Sequence, residues 1–469
     1  MRTHAFLVLV SCALHVAAAD YKVFFGNLHS HTSYSDGSGT PSDAYKYAKS
    51  RVDFLAITEH NHKGAEKGIK AGDPRKDGIL IANDHSLYKS TATKSLLSAA
   101  KRYTKDGEFV ALFGQEFSTI QKGGNHVNVF EVAEVIDETV VTNGGFGQLI
   151  NWLVTHSDSE QKPAIIQFNH PEKEIREAGI EYGRDDFLTI QDWIQKMSKH
   201  ACLIEVFNGP GTVTPAPNLK HDVFTSDYFY YLNVGFKLAP TGNQDNHHRN
   251  WGDSTPVRTG VIAETLTKPR ILDAMRKRHV YATTDPNLQL VFWVNKHLCG
   301  DVITTNPAAS SELNIEYVIN DADEPDADYD IEVYSDDRIG GAEAKLVEKV
   351  SVSGNTPFPT PKKIQDVPFT GNGQYVFFIV RQKDEHAPTA VAVTAPVWIE
   401  AGAIQPGVAL PALGGVDESK LVASKNSDLF HVSLECSAAK AIKVSNRITG
   451  AAARNGRRLH PNCPVKRNT

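Results

Sequence analysis

The stretch KVFFGNLHSHTSYSDG, residues 22–37, carries an apolar strand-like run straight into two histidines one residue apart, and then into an Asp-Gly pair. In an extended chain alternate side chains point to the same side, so His29 and His31 can both reach one ion. Neutral imidazole and carboxylate are ligands that suit zinc, manganese and iron. By themselves the two rings prove little, because a lone histidine is more often a surface or a satisfied core residue. Asp36 before Gly37 equally suits an ordinary turn. What decides the reading is that the same juncture recurs along the chain.

Further strand-like runs lie at Asp53–Thr58, Phe109–Gly114, Val127–Val132, Ala164–Phe168, Cys202–Phe207 and Lys237–Gly242, after the first at Lys22–Leu28. Helix-like stretches fall between several of them, among them Pro41–Lys49, Ser95–Tyr103 and Ile190–Ser198. Seven strands alternating with helices argue for an α/β fold of parallel βα units, and the number fits a closed barrel better than an open sheet. Strand two ends in Glu59-His60-Asn61 and strand three in Gln115-Glu116; His126 opens strand four. Strand five ends in Asn169-His170-Pro171, and strand seven runs into Asp245-Asn246-His247. The C-terminal end of parallel strands is where a barrel gathers its active site. Glu116 could simply be solvated and His170 could be a loop histidine. For all these groups to be bland, independent coincidences would have to fall on five or more strands, so the set reads as a metal site.

The motifs HSHTSYSDG (29–37), AITEHN (56–61), GQEFS (114–118), FNHP (168–171) and QDNHH (244–248) resemble the polymerase-and-histidinol-phosphatase (PHP) superfamily in order and spacing. The resemblance covers about residues 22–285. It implies a distorted seven-stranded (β/α)7 barrel holding two or three divalent ions, zinc, manganese or iron. Carried onto this chain, a first metal position would use His29, His31, Glu116 and Asp245. A second would share Glu116 and add His126 and His170, and a third would use Asp36, His60 and His247. The stretch Thr259–Thr284, together with the strand-rich region beyond it, resembles a carbaryl-hydrolase-like branch. The superfamily usually has Asp before its second-motif histidine, where this chain has Glu59; the longer acid would alter how His60 is oriented.

The implied chemistry is hydrolysis of an ester, phosphate first, by a hydroxide bridging two ions. Metal binding can lower the pKa of water from about 15.7 to near 7. His247 or His60 would protonate the leaving group if not fully engaged as ligands. Arg184, Arg249 and Arg258 are candidate anion clamps, since a planar guanidinium suits phosphate. The long segment Lys63–Gly107 reads as a lid or cap, and its Arg75, Lys76 and His85 are candidate substrate contacts or simply a solvated surface. A carbamate or carboxylic-ester hydrolase with the same metals, and a metal-stabilised binding protein without catalysis, are the alternatives.

Composition sets the frame. The chain has 469 residues with 41% apolar and 22% charged content and a net charge of −6, so nothing global suggests a specific nucleic-acid binder. A basic start, the apolar run Ala5–Leu14 and an Ala-rich ending before Asp20 make residues 1–19 a secretory signal, and the mature protein is expected outside the cytoplasm. The barrel is expected over 20–285 and an antiparallel β-sandwich over 286–400, with strand-like runs at Leu288–Val294, Leu313–Ile319, Tyr329–Tyr334, Lys345–Val352 and Tyr375–Val380. A Gly-, Ala-, Pro- and Ser-rich linker over 401–428 leads to a small basic module, 429–469. In that module Cys436 and Cys463 suit a disulfide, or a zinc site with two histidines. From Lys440 on, eight Lys or Arg and no acid hint at a polyanionic surface as partner, though a solvated tail is the commoner case. The main partner expected is a small phosphorylated or ester substrate.

Overall fold

The computed structural model describes residues 21–65, 78–118, 126–136, 164–171, 200–209, 221–305, 312–336, 344–356, 360–370, 373–383 and 389–401. It also describes scattered positions among 69–75, 149–153 and at 211, and the short strands 422–424, 429–431, 447–449 and 458–459. Residues 1–20, Lys76, Arg184, the helix expected at Ile190–Ser198, Cys436 and Cys463 lie outside the described residues.

The strands that build the site are β1 (Lys22–Asn27), β2 (Phe54–His60), β3 (Val110–Ser118), β4 (His126–Phe130), β5 (Ile165–Phe168), β6 (Ala201–Asn208), β7 (Asp222–Val223), β8 (Ala239–Asn243), β9 (Arg258–Ala263) and β10 (Val280–Thr283). The described α-helices are α1 (Pro41–Ala48), α2 (Leu96–Tyr103), α3 (Thr225–Val234) and α4 (Lys268–Lys277). In β2 successive side chains go to opposite faces. Phe54 and Ala56 join a core shared with Val110 and Leu112, while Leu55 and Ile57 meet Ala44, Tyr45, Leu96 and Leu97 of α1 and α2. A strand covered on both faces must be apolar throughout, which is why its pattern is continuous rather than alternating. Helix α1 is fixed at its start by a reciprocal cap between Thr40 and Asp43 with Pro41 in the first turn. That cap begins three residues after Gly37 and so holds the end of the His-Ser-His loop.

The result is a mixed α/β architecture dominated by strands. β1–β2, β2–β3, β5–β6 and β6–β8 pair in parallel. β4 is antiparallel to both β3 and β5, so the expectation of parallel βα units throughout does not hold. The reason is length: only the seven residues 119–125 join β3 to β4, and a parallel crossover needs about a dozen or more. Along the ladder β1 and β8 stand far apart, yet an isolated parallel bridge joins Ser30 to Asn246, and the His31 N–H donates to the Asn246 carbonyl at 2.8 Å. The ends of those two strands therefore meet at the site.

On the other side of β1 come β9 and β10, both antiparallel to their neighbours, and β10 pairs with a later strand, Thr389–Thr394. Hydrogen bonding thus runs without a break from the first unit into strands of the second. A separate antiparallel sheet contains Gln289–Val294 and Ile315–Asn320. Its apolar side packs on the continuing sheet, with Phe292 stacked on Phe378 at 4.2 Å between ring centroids. Val422–Ser424, inside the stretch expected to be a linker, pairs with Leu429–His431 and Arg447–Thr449 in a small sheet.

Candidate metal centre

Strand register does the first part of the assembly. Parallel pairing sets His60 directly beside Glu116, and antiparallel pairing sets His126 opposite Ser118, two residues further on. The Asn169 N–H donates to the His126 carbonyl at 3.0 Å, which brings His170 to the same edge. The Ser30–Asn246 bridge delivers His29 and His31 to Asp245 and His247.

All nine ligand candidates meet in one cluster. Their ligand atoms fall into four overlapping groups: His29, His31 and Asp245; His29, Glu116 and His170; His60, Glu116 and His126; and His31, Asp36, His60 and His247. Asp245 Oδ1 lies 3.2 Å from His29 Nε2 and 3.1 Å from His31 Nε2, and the two nitrogens are 3.2 Å apart. Glu116 sits between groups. Its Oε2 is 3.3 Å from His29 Nε2, 3.3 Å from His31 Nε2 and 3.0 Å from His60 Nδ1, while Oε1 is 2.9 Å from His126 Nδ1. Asp36 Oδ1 faces His247 Nε2 at 3.2 Å and His60 Nε2 at 3.7 Å.

These residues fit divalent ions. Buried Glu116 Oε2 makes no hydrogen bond although three imidazole nitrogens converge on it, an unsatisfied acceptor of the kind a cation would satisfy. Ligand atoms about 3.2 Å apart also match the edge of a tetrahedral shell whose bonds are about 2.0–2.2 Å.

The electrostatics agree. Burial would raise the carboxyls of Glu116 and Asp245, but the imidazoles around them overrule it and hold both well below the carboxylate range. Burial would likewise lower His247 and His170, yet the facing acids, Asp245 and Asp36 for one and Glu116 for the other, push each up to about 9. Ions bound by such a cluster would compete with protons for its imidazoles. His170 (φ 24°) and Asp245 (φ 45°) both have backbones in the left-handed region, a strain of about 1–3 kcal/mol each that functional sites tend to store.

The remaining candidates behave differently. Arg249 is exposed and approaches Asp43 at 4.0 Å. Arg258 is buried and donates to the carbonyls of Thr255 and Val257, at 2.6 and 2.8 Å, so it is not a clamp at the mouth. Arg75 is locked to Asp73 by two side-chain contacts of 3.0 and 2.7 Å. His85 is exposed, in a short 3₁₀ turn. Both nitrogens of His247 are engaged, Nδ1 with the Asp245 carbonyl at 2.8 Å and Nε2 with Asp36 at 3.2 Å.

Four further residues join the site without being ligand candidates. His62 lies 5.5 Å from His60 between ring centroids, and its Nδ1 accepts from the Gly64 N–H. Asn169 donates to Glu116 Oε1 at 3.0 Å. Glu205, fully buried on β6, contacts His29 Nδ1 at 2.9 Å. Glu59 accepts from the Thr32 backbone and from the hydroxyls of Thr32 and Ser35, so the longer acid holds the loop that carries His31; burial pushes it up to about 7 against those bonds.

Comparison with known proteins adds a likeness. No family model and no curated protein matches the chain. Among solved structures it is similar to a two-domain protein from Bacteroides vulgatus described as containing a predicted PHP-like metal-dependent phosphoesterase. That match has 13% identity and a TM-score of 0.40, over 81% of this chain and 96% of the other. It is also similar to an amidohydrolase from Chromobacterium violaceum with bound sulfate and no metal, at 13% identity and a TM-score of 0.26, over 48% and 89% of the two chains. At such identities and scores the chemistry has to be read from the side chains.

Proposed function

We propose that this protein is an exported, metal-dependent phosphoesterase, and that the cluster around Glu116 is its catalytic centre. One observation supports this above the others: a single buried carboxylate, Glu116, is shared by two of the four ligand groups and touches four histidines within 3.3 Å. Side chains that share a carboxylate between groups suit a multi-ion hydrolytic site rather than one structural ion, which is held by a closed set of four ligands.

His29, His31, Glu116 and Asp245 would hold one ion, Glu116, His126 and His170 a second, and Asp36, His60 and His247 a third. When bound, zinc, manganese or iron would acidify water and neutralise charge on the ester's oxygens. The chain's own part is to place ligands on strand ends with little freedom to move. The Trp251 indole donates to the His31 carbonyl at 2.9 Å, and Ser118 Oγ lies 2.8 Å from His60 Nδ1. Buried His29, His31 and Glu116 keep bulk water from one side, while Asp36, His126, His170 and Asp245 are partly exposed and open the cluster to a substrate. Export rests on the signal-like residues 1–19, and contact of the basic C-terminus with a polyanionic surface on its charge alone.

Phosphate release from a panel of phosphomonoesters, with manganese or zinc added, tests the reading. Release abolished by a chelator and by His31→Ala is expected. A protein shown to hold metal that releases no phosphate from mono- or diesters, but cleaves carbamates or carboxylic esters, would overturn it.

A further inference from the structure

We propose that Glu205 is a positioning residue that orients the candidate ligands, holding the His29 ring and the His170 backbone from one buried carboxylate. Glu205 belongs to none of the four ligand groups and is fully buried on β6. Its Oε1 accepts from Asn243 Nδ2 at 2.9 Å and Gln167 Nε2 at 3.4 Å, and faces His29 Nδ1 at 2.9 Å. Its Oε2 accepts from the His170 N–H at 2.6 Å and from Asn208 Nδ2 at 2.9 Å.

Four of these five partners are N–H groups that can only donate. Glu205 therefore acts as the acceptor throughout, and His29 carries its proton on Nδ1. That tautomer leaves the Nε2 lone pair aimed at the spot it shares with His31, Glu116 and Asp245. A carboxylate behind a metal-binding histidine is a recognised means of fixing ring orientation and raising basicity. Here the same group does more. His170 has φ 24°, a conformation its side chain does not favour, and its N–H is pinned by Oε2. Asn243 extends the tie to β1, since its Oδ1 accepts from the Leu28 N–H at 2.8 Å, one residue before His29.

Glutamine at position 205 keeps the shape but turns one oxygen into a donor. Whichever end receives the NH2 then faces N–H donors, either His29 and Asn243 or His170 and Asn208. The escape at the first end is for His29 to move its proton to Nε2, which removes the ligand lone pair.

The proposal rests on the cluster being a metal centre. The test is calorimetric titration of the full chain with zinc, together with the visible spectrum of the cobalt-loaded protein, for wild type and Glu205→Gln. Affinity weaker by about 10- to 100-fold and a changed cobalt spectrum, with the metal-free protein still folded and unfolding cooperatively, are expected. Unchanged affinity and spectrum would overturn the role of Glu205 alone, whereas a wild type that binds no metal would overturn the metal centre itself. If Glu205→Gln does not fold, Asn208→Ala, which keeps the carboxylate and removes one donor to Oε2, is read in the same way. A loss near 10-fold supports the tie, and wild-type affinity overturns it.

Discussion

His31 is the residue on which the cluster closes. Its ring lies between those of His60 and His247, at 4.5 and 4.2 Å between centroids, and its Nε2 faces Glu116, Asp245 and His29. The bonds that fix its backbone, from Trp251 Nε1 and to the Asn246 carbonyl, do not involve the ring. His31→Ala should therefore leave a folded protein and cut metal affinity by more than the roughly 10- to 100-fold expected for a group that only orients a ligand. Circular dichroism and metal titration, run together, check both halves. Gly37 is a second point of control. A Cβ there would lie 2.5 Å from the His31 carbonyl carbon, a backbone contact that cannot yield. Gly37→Ala should displace the His-Ser-His loop, costing about 1–3 kcal/mol of stability and most of the metal uptake. The clustered residues are readable in the sequence because His and Asp at strand ends have few bland reasons to recur. Glu205 is not, because one acid inside the apolar run Cys202–Phe207 looks like an ordinary alternating strand position. Nor can the spacing show that Arg75 is paired with Asp73, or that Arg258 turns inward to backbone carbonyls.

Among the elements, strand positions come directly from apolar patterning, while strand directions do not. Each of the seven runs expected in the first part overlaps an observed strand, because burial on both faces of β2 and β3 leaves a plain apolar signature. The antiparallel course of β4 depends on what joins it to β3, and only the shortness of that link betrays it. One element contact carries a pH prediction. Asp301, just before the strand Val302–Thr305, meets His279 Nε2 at 2.9 Å and accepts from the Leu298 N–H at 3.0 Å. Burial would raise its carboxyl, but these partners outweigh it and hold it below the usual value. A depressed acid contributes stability above its unfolded pKa, about 3.9, and loses that contribution as pH falls through the folded value. Asp301→Asn should thus lower stability at pH 7 by about 1–2 kcal/mol, since the group is partly exposed, and should flatten the acid limb of the stability curve. Denaturation at pH 7 and pH 3 checks this; an equal loss at both would refute it.

For the molecule as a whole, the first and second units share one hydrogen-bonded ladder. β10 gives Tyr281, Ala282 and Thr283 to pairing with Thr394, Val393 and Ala392, and Val23, Ile262 and Tyr281 lie in the same apolar core as Leu290 and Phe378. A chain cut after residue 285 would expose a bare strand edge and that apolar face, and it should aggregate rather than fold alone. Size-exclusion of the truncated protein reads the result directly; a soluble, cooperatively folding 20–285 fragment would contradict it. The central claim, however, is that nine side chains from distant parts of the sequence form a centre for several ions. Elemental analysis of the purified full chain after loading with zinc or manganese and removal of free metal tests it most directly. The account predicts two to three ions per chain, falling with His31→Ala; a wild type that retains less than one ion per chain would contradict it.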